Sequence, residues 1–146
     1  MKNLFALIVY GLSVSAYSGQ LLVTVEEMTE SNNAHPPFTA KSVPNKDAPV
    51  IELTAPKLSV PLSSPTAIEV QFLPTAPSSV KPESFKVLYG AFEIDITKRI
   101  LSLTKVTETG VFVQEARLPK GKHKLLMIVE DSSGRKGNRA VEFEVQ

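Results

Sequence analysis

The sequence predicts an all-β protein: an antiparallel sandwich of about seven strands over residues 49–146, carried behind an export signal and a flexible arm. Three observations predict it. From Pro49 onward, apolar residues recur at every second position over short stretches, the period of a half-buried strand. Clusters of proline, glycine and serine interrupt those stretches at the close spacing of sandwich strands. The chain has 146 residues, 42% of them hydrophobic, and a formal net charge of +1. That is enough for one core, and too balanced for an obligate polyanion binder.

The elements follow in order. Residues 1–18, "MKNLFALIVYGLSVSAYS", place Lys2 ahead of an apolar run over residues 4–12 and then small residues, the layout of a secretory signal peptide. Val14 and Ala16 suit the −3 and −1 sites of one cleavage, Ala16 and Ser18 those of another. An uncleaved anchor is the rival reading, but the run falls short of the roughly 20 residues that span a bilayer core. With no cysteine, the chain has no lipobox, no disulfide and no thiolate metal site. A soluble protein of the bacterial periplasm or exterior is expected, with no stable membrane insertion after cleavage.

Residues 19–48 read as a flexible arm. Thr24 followed three residues later by Glu27 is a capping-box spacing, which predicts a short helix over residues 26–30. Such a helix is marginal unless it docks. The composition over residues 32–49, with prolines at 36, 37, 44 and 49, predicts an extended linker.

The sandwich strands come next. "VIEL" (residues 50–53) opens the series, and "TAIEVQFL" (residues 66–73) sets Ile68, Val70 and Phe72 on one face against Glu69 and Gln71 on the other. "PTAPSSVKPES" is read as a break, its three prolines removing ladder donors. "FKVLYG" and "FEIDIT" then form a hairpin with Gly90 in the turn, "TKRIL" makes one helical turn capped by Thr97, and "GVFVQEARL" is a further strand. "LPKGK" is a tight loop. The last hairpin is the clearest: Leu125, Met127 and Val129 share a face, Val141, Phe143 and Val145 share the matching one, and "SSGRKGN" supplies the turn.

On these residues the chain resembles bacterial immunoglobulin-like domains, whose last strands read L-P-x-G-x-H-x-L, V-x-D-x-x-G and an alternating final strand. Here the pattern falls on Leu118, Pro119, Gly121, His123 and Leu125, then Val129, Asp131 and Gly134, then Val141, Phe143 and Val145. The match is tight over the C-terminal third and rests on strand count before it. The resemblance implies an immunoglobulin-like β-sandwich and carries no assigned activity. The absence of a cysteine pair and of tryptophan separates the chain from antibody domains, so a fibronectin III-like variant is equally allowed.

No residue is assigned a catalytic, cofactor-binding or metal-binding role. His35 lies in the proline-rich linker, and His123 opens a strand on its apolar face, where a structural role outweighs a catalytic one. Glu130, Asp131 and Asp95 lack the oxygen-dense loop that calcium requires, and Asp131 reads as an Asx-turn acceptor. Lys120, Lys122 and Lys124 surround one loop, while Arg135, Lys136 and Arg139 surround the next. The two clusters fall at opposite ends of a strand, and nucleic acid is excluded for want of a continuous basic stripe with stacking aromatics. Candidate partner-binding residues are Tyr89 and Phe92, flanking the Gly90 turn, and Arg135, Lys136 and Arg139.

The function expected is a non-enzymatic interaction or scaffolding module that binds an envelope protein or glycan and needs no cofactor. Strand addition at an unpaired sheet edge is its first mechanism. The alternatives are a small metal-dependent envelope factor or enzyme, and a periplasmic chaperone or inhibitor.

Overall fold

A computed structural model describes residues 21–34 and 45–146. The expected signal peptide, most of the expected linker and His35 lie outside the described residues. Among the described residues there are two helices and seven strands: α1 (Val25–Asn33), β1 (Val50–Ala55), β2 (Thr66–Leu73), β3 (Val80–Tyr89), β4 (Ile94–Asp95), α2 (Thr97–Leu101), β5 (Gly110–Ala116), β6 (Gly121–Asp131) and β7 (Lys136–Val145). The strands form two antiparallel sheets, β1-β2-β5 and β4-β3-β6-β7. An all-β sandwich of seven strands is therefore what the alternation predicted.

The core lies between the sheets. Phe72 of β2 and Phe85 of β3 meet across it with ring centroids 5.7 Å apart, and Val70, Val87, Val111, Met127 and Val129 close around them, each buried. In β6 the odd-numbered residues from His123 to Asp131 face this core while Lys122 and Lys124 face solvent. Its ten-residue register with β7 pairs Leu125 with Val141 and His123 with Phe143. The terminal hairpin has the inward set that the sequence assigned it.

Four local readings are corrected. The proline-rich stretch does not separate strands as far as Phe85, because β3 begins at Val80 and includes Pro82. Pro82 is tolerated because the ladder to β6 is irregular between Lys81 and Lys86, where a missing donor costs nothing. There the Ser84 hydroxyl accepts the Glu130 N–H at 2.8 Å, so a side chain replaces the lost backbone partner. The strand expected over "FEIDIT" shrinks to β4, which leaves Phe92 in the turn. Thr97 does not cap α2; the N-cap position is Ile96, with no side-chain cap bond. Thr97 Oγ1 instead accepts the Val87 N–H at 2.9 Å, and Asp95 Oδ1 accepts the Thr97 N–H at 2.9 Å.

The fourth correction concerns residues 21–34, expected to belong to a free arm. The capping box forms, with Thr24 and Glu27 exchanging side-chain-to-backbone bonds of 2.9 and 3.1 Å. The helix runs longer than expected, over nine residues, because tertiary contacts extend it. Leu22 and Val23 are 4% and 0% exposed and join the sandwich core. Leu22 N–H donates to Arg117 O at 3.0 Å, just beyond the end of β5.

The sheet edges are covered in places, while β4 pairs with β3 only at Leu88 and Tyr89. Beside β5 lie Leu22 at one end and, at the other, a bridge from Val106 to Val111 and the Thr104 hydroxyl on Phe112 O at 2.6 Å. Beside β7, Leu62 forms a parallel bridge with Val145, its N–H donating to Glu144 O at 2.9 Å. Arg139 Nη1 of β7 reaches Ile51 O of β1 at 3.3 Å.

Candidate functional site

Where β3 ends, α1 takes its place beside β6. Gly90 N–H donates to Lys124 O at 2.9 Å, the last backbone bond from this side, and two positions further along Asn32 Nδ2 of α1 donates to Lys122 O at 3.2 Å. The turn over residues 90–93 is pinned to the same helix, because Ala91 N–H donates to Ser31 Oγ at 2.9 Å. Gly90 sits at φ +71°, in the left-handed region, and a Cβ there would run into the Ser31 side chain. Both features require glycine. Phe92 projects from this braced turn with 61% of its surface exposed.

Between helix, turn and the outer face of β6–β7 lies an open groove of about 830 Å³. Ser31 and Asn32 form one wall, Ala91 and Glu93 another, and the floor carries Lys122, Lys124, Leu126, Ala140, Glu142 and Glu144. Phe92 stands on the rim, outside the lining.

Behind the floor, on the core side, His123 is 2% exposed. Its Nε2 lies 2.7 Å from Pro119 O and its Nδ1 2.8 Å from the Tyr89 hydroxyl. A proline carbonyl only accepts, so Nε2 carries the proton, Nδ1 accepts, and the Tyr89 O–H donates. The ring stacks on Phe143, with centroids 5.4 Å apart and planes at 23°. Burial pushes the imidazole below its ordinary 6.5 despite the Pro119 bond that favours the charged form. Burial, and next the Glu27 charge, push the Tyr89 phenol up to about 12. Both groups are neutral, and each is held by the other.

The helix is clipped to the sandwich by one ion pair. Arg99 of α2 donates from Nη1 and Nη2 to the two Glu27 oxygens at 2.8 and 2.7 Å, and from Nη1 to Leu22 O at 2.9 Å. The Arg99 bonds, aided by the Thr24 N–H and opposed by burial, hold the Glu27 carboxyl at about 2. The same pairing raises Arg99 above its ordinary value.

The five residues singled out in the sequence do not converge. Phe92 is exposed on the rim, as an anchor must be. Tyr89 is not a contact residue: at 1% exposure, with its hydroxyl on His123, it is part of the core. Arg135 lies at the far end of β6, roughly 30 Å away by the rise per residue. Its Nε donates to Asp131 Oδ2 at 2.8 Å and its Nη2 to Ser78 Oγ at 2.9 Å, so it braces a loop. Asp131 is the turn acceptor the sequence indicated, its Oδ1 taking the N–H groups of Ser133 and Arg135 at 3.0 and 2.9 Å. Burial raises its carboxyl, and the Arg135 and Ser133 bonds outweigh that and leave it below the ordinary value. Arg139 is engaged with Ile51, while Lys136 is exposed beside Glu130 in the β6–β7 register.

Sequence reasoning missed Ser31, Asn32 and Arg99. The capping-box spacing revealed Glu27 as a helix residue, but Glu27 and Arg99 are 72 positions apart and nothing local announces their pairing. Among the described residues no group of three His, Asp or Glu side chains converges as a metal site, and no helix is long and apolar enough to cross a membrane.

Three strands packed on four, with β4 hydrogen-bonded to β3 and not to β5, define an immunoglobulin-like or fibronectin III-like β-sandwich. Among solved structures, the fibronectin(III)-like modules of CbhA from Clostridium thermocellum are similar at 18% identity and a TM-score of 0.45, over 68% of this chain and 47% of that one. The chain thus matches just under half the length of that structure. No family model matches the sequence, and no curated protein matches it.

Proposed function

We propose that the protein is a non-enzymatic, exported interaction or scaffolding module that binds a protein or glycan partner in the bacterial envelope. One observation carries the reading: Phe92 is held out, 61% exposed, on a turn locked from two sides by Ser31 and Lys124. A large apolar ring kept in water on a rigid support loses little entropy when a partner covers it, which is what makes aromatic anchors effective. Among the described residues, three groups able to do acid–base chemistry are committed to the architecture. His123 has both nitrogens engaged, Asp131 accepts from Ser133 and Arg135, and Glu27 is clamped by Arg99. Leu22, Val106 and Leu62 cover parts of the edge strands, and the Phe92 turn offers a contact that needs no free edge.

The test is affinity capture from envelope extract and on immobilised envelope glycans, with the wild type and Phe92→Ala. The reading expects one captured species, lost in the variant at an unchanged unfolding midpoint. Capture indifferent to Phe92 overturns the turn as the contact. A rise in the unfolding midpoint on adding calcium, zinc or copper would favour the metal-dependent alternative.

A further inference from the structure

We infer that the groove between α1, the Phe92 turn and the outer face of β6–β7 is a binding site for a neutral glycan, a chain of uncharged sugar rings. This rests on the module reading and deepens it, choosing the glycan over the protein and placing it beside Phe92.

The floor can be read rung by rung, because directly opposed residues of an antiparallel pair share a face and are neighbours. Lys122 opposes Glu144, and Lys124 opposes Glu142 with Nζ to Oε1 at 3.2 Å. Each rung sets a group that only donates beside a carboxylate that only accepts. Rungs of one face recur about every 7 Å along a strand. The next one, Leu126 opposite Ala140, is apolar. With Glu93 on the wall, the charged lining is two lysines and three glutamates, which leaves a single negative charge in excess. A polyanion would meet the glutamates and a polycation the lysines. Sugar hydroxyls donate and accept at once, so an uncharged ring satisfies both members of a rung through charge-assisted bonds.

A peptide has less to hold. Peptides bind sheets by pairing with free backbone groups, or bind grooves by burying an apolar anchor in a pocket. Here β6 and β7 pair continuously from Gly121 with Val145 to Glu130 with Lys136, and Lys124 O and Lys122 O take the Gly90 and Asn32 donors on the other side. The apolar rung is a half-buried leucine beside an exposed alanine, a shallow surface with no recess for a side chain. The groove's 830 Å³ falls within the range of about 300–1,000 Å³ for ligand sites. Phe92 adds a platform on the rim, 61% exposed. A sugar ring covers such an aromatic with its aliphatic face, where C–H hydrogens meet the negative face of the π system.

Glu93 points the same way. Among the described residues it is the one non-glycine at positive φ, +50°. Left-handed backbone favours glycine, and such strain persists chiefly where a site uses it. Its N–H closes the turn on Gly90 O at 3.2 Å, so its carboxylate stands at the groove wall on a fixed support. Glycine would relax this backbone, whereas glutamate brings an acceptor to the groove.

The experiment is an NMR titration of backbone amides in the full exported chain. The probes are oligosaccharides of glucose, of xylose and of N-acetylglucosamine, with oligogalacturonate as the anionic control. The wild type, Ala140→Arg, Glu93→Gly and Phe92→Ala are compared, each checked by circular dichroism and thermal unfolding. One neutral series should move the amides of Lys122, Lys124, Ala140 and Glu142, with little dependence on salt. Which series does so separates amino-sugar from neutral-hexose or pentose sources. Ala140→Arg fills the floor from an exposed position and should abolish the shifts. Glu93→Gly should weaken binding about tenfold, the loss of one bond to a charged group, while its unfolding midpoint stays level or rises.

No shift with any neutral series, stronger binding of oligogalacturonate, or binding untouched by Ala140→Arg overturns the inference. So does an envelope protein captured by the wild type and lost on Ala140→Arg, which would give the groove to a protein and leave the module reading standing. Capture indifferent to Phe92, with glycan shifts still abolished by Ala140→Arg, overturns the turn as the contact and upholds the groove.

Discussion

Tyr89→Phe removes a single oxygen, and the structure states what that oxygen does. It donates to His123 Nδ1 at 2.8 Å, while Nε2 is already committed to Pro119 O. At 2% exposure His123 has no water to turn to, and its other tautomer would set an N–H-free nitrogen against a carbonyl. The variant therefore leaves a buried acceptor unpaired, which costs about 1–3 kcal/mol. For a sandwich of this size about 1 kcal/mol corresponds to about 4 °C, so the unfolding midpoint falls by about 4–12 °C. Thermal unfolding and urea titration at pH 8 measure it. The double variant Tyr89→Phe/His123→Leu should lose less than the sum of the two single changes, because removing both partners strands neither. A Tyr89→Phe midpoint within about 1 °C of wild type, or strict additivity, would refute the assigned tautomer and the bond.

The remaining predictions follow from the same contacts. Because His123 sits below 6.5 when folded and near 6.5 when unfolded, its stabilisation is complete above about pH 6.5 and is lost as pH falls. Urea midpoints measured from pH 8 to 5 should decline with a slope that His123→Gln removes. Glu27, at about 2 folded against 4.5, contributes fully above about pH 4.5 and loses its contribution from there toward pH 2. Arg99→Ala should cost about 1–2 kcal/mol, the partial exposure of the pair keeping it at the lower end for a charged bond, and should flatten that acid limb. Leu22→Ala should cost about 2–4 kcal/mol by equilibrium unfolding, since Leu22 is a core residue. Gly90→Ala should cost at least about 1 kcal/mol and lower hydrogen-exchange protection in α1, since it forces an L side chain to positive φ against Ser31.

Local periodicity determined what depended on neighbours along the chain. "TAIEVQFL" became β2 at both ends as read, and "HKLLMIVED" and "AVEFEV" paired as the last hairpin, because alternation with one buried face leaves a single register that hides every apolar residue. The capping box formed for a similar reason, as its two bonds span three residues. Pro82 shows where that reasoning ends. A proline argues against a strand, yet the serine that completes the ladder can be recognised only when β6 lies alongside.

The N-terminal helix and the candidate surface belonged to the tertiary structure alone. Nothing between Glu27 and Arg99 along the chain encodes their meeting, and a short helix judged by its own propensity is only marginal until Leu22 and Val23 enter the core. The charged rungs were visible as lysines and glutamates but had no pattern until pairing set Lys124 beside Glu142 and Leu126 beside Ala140. Burial, spread along each strand at period two, is written locally. Complementarity of a surface depends on which distant residues end up side by side, and folding alone decides that.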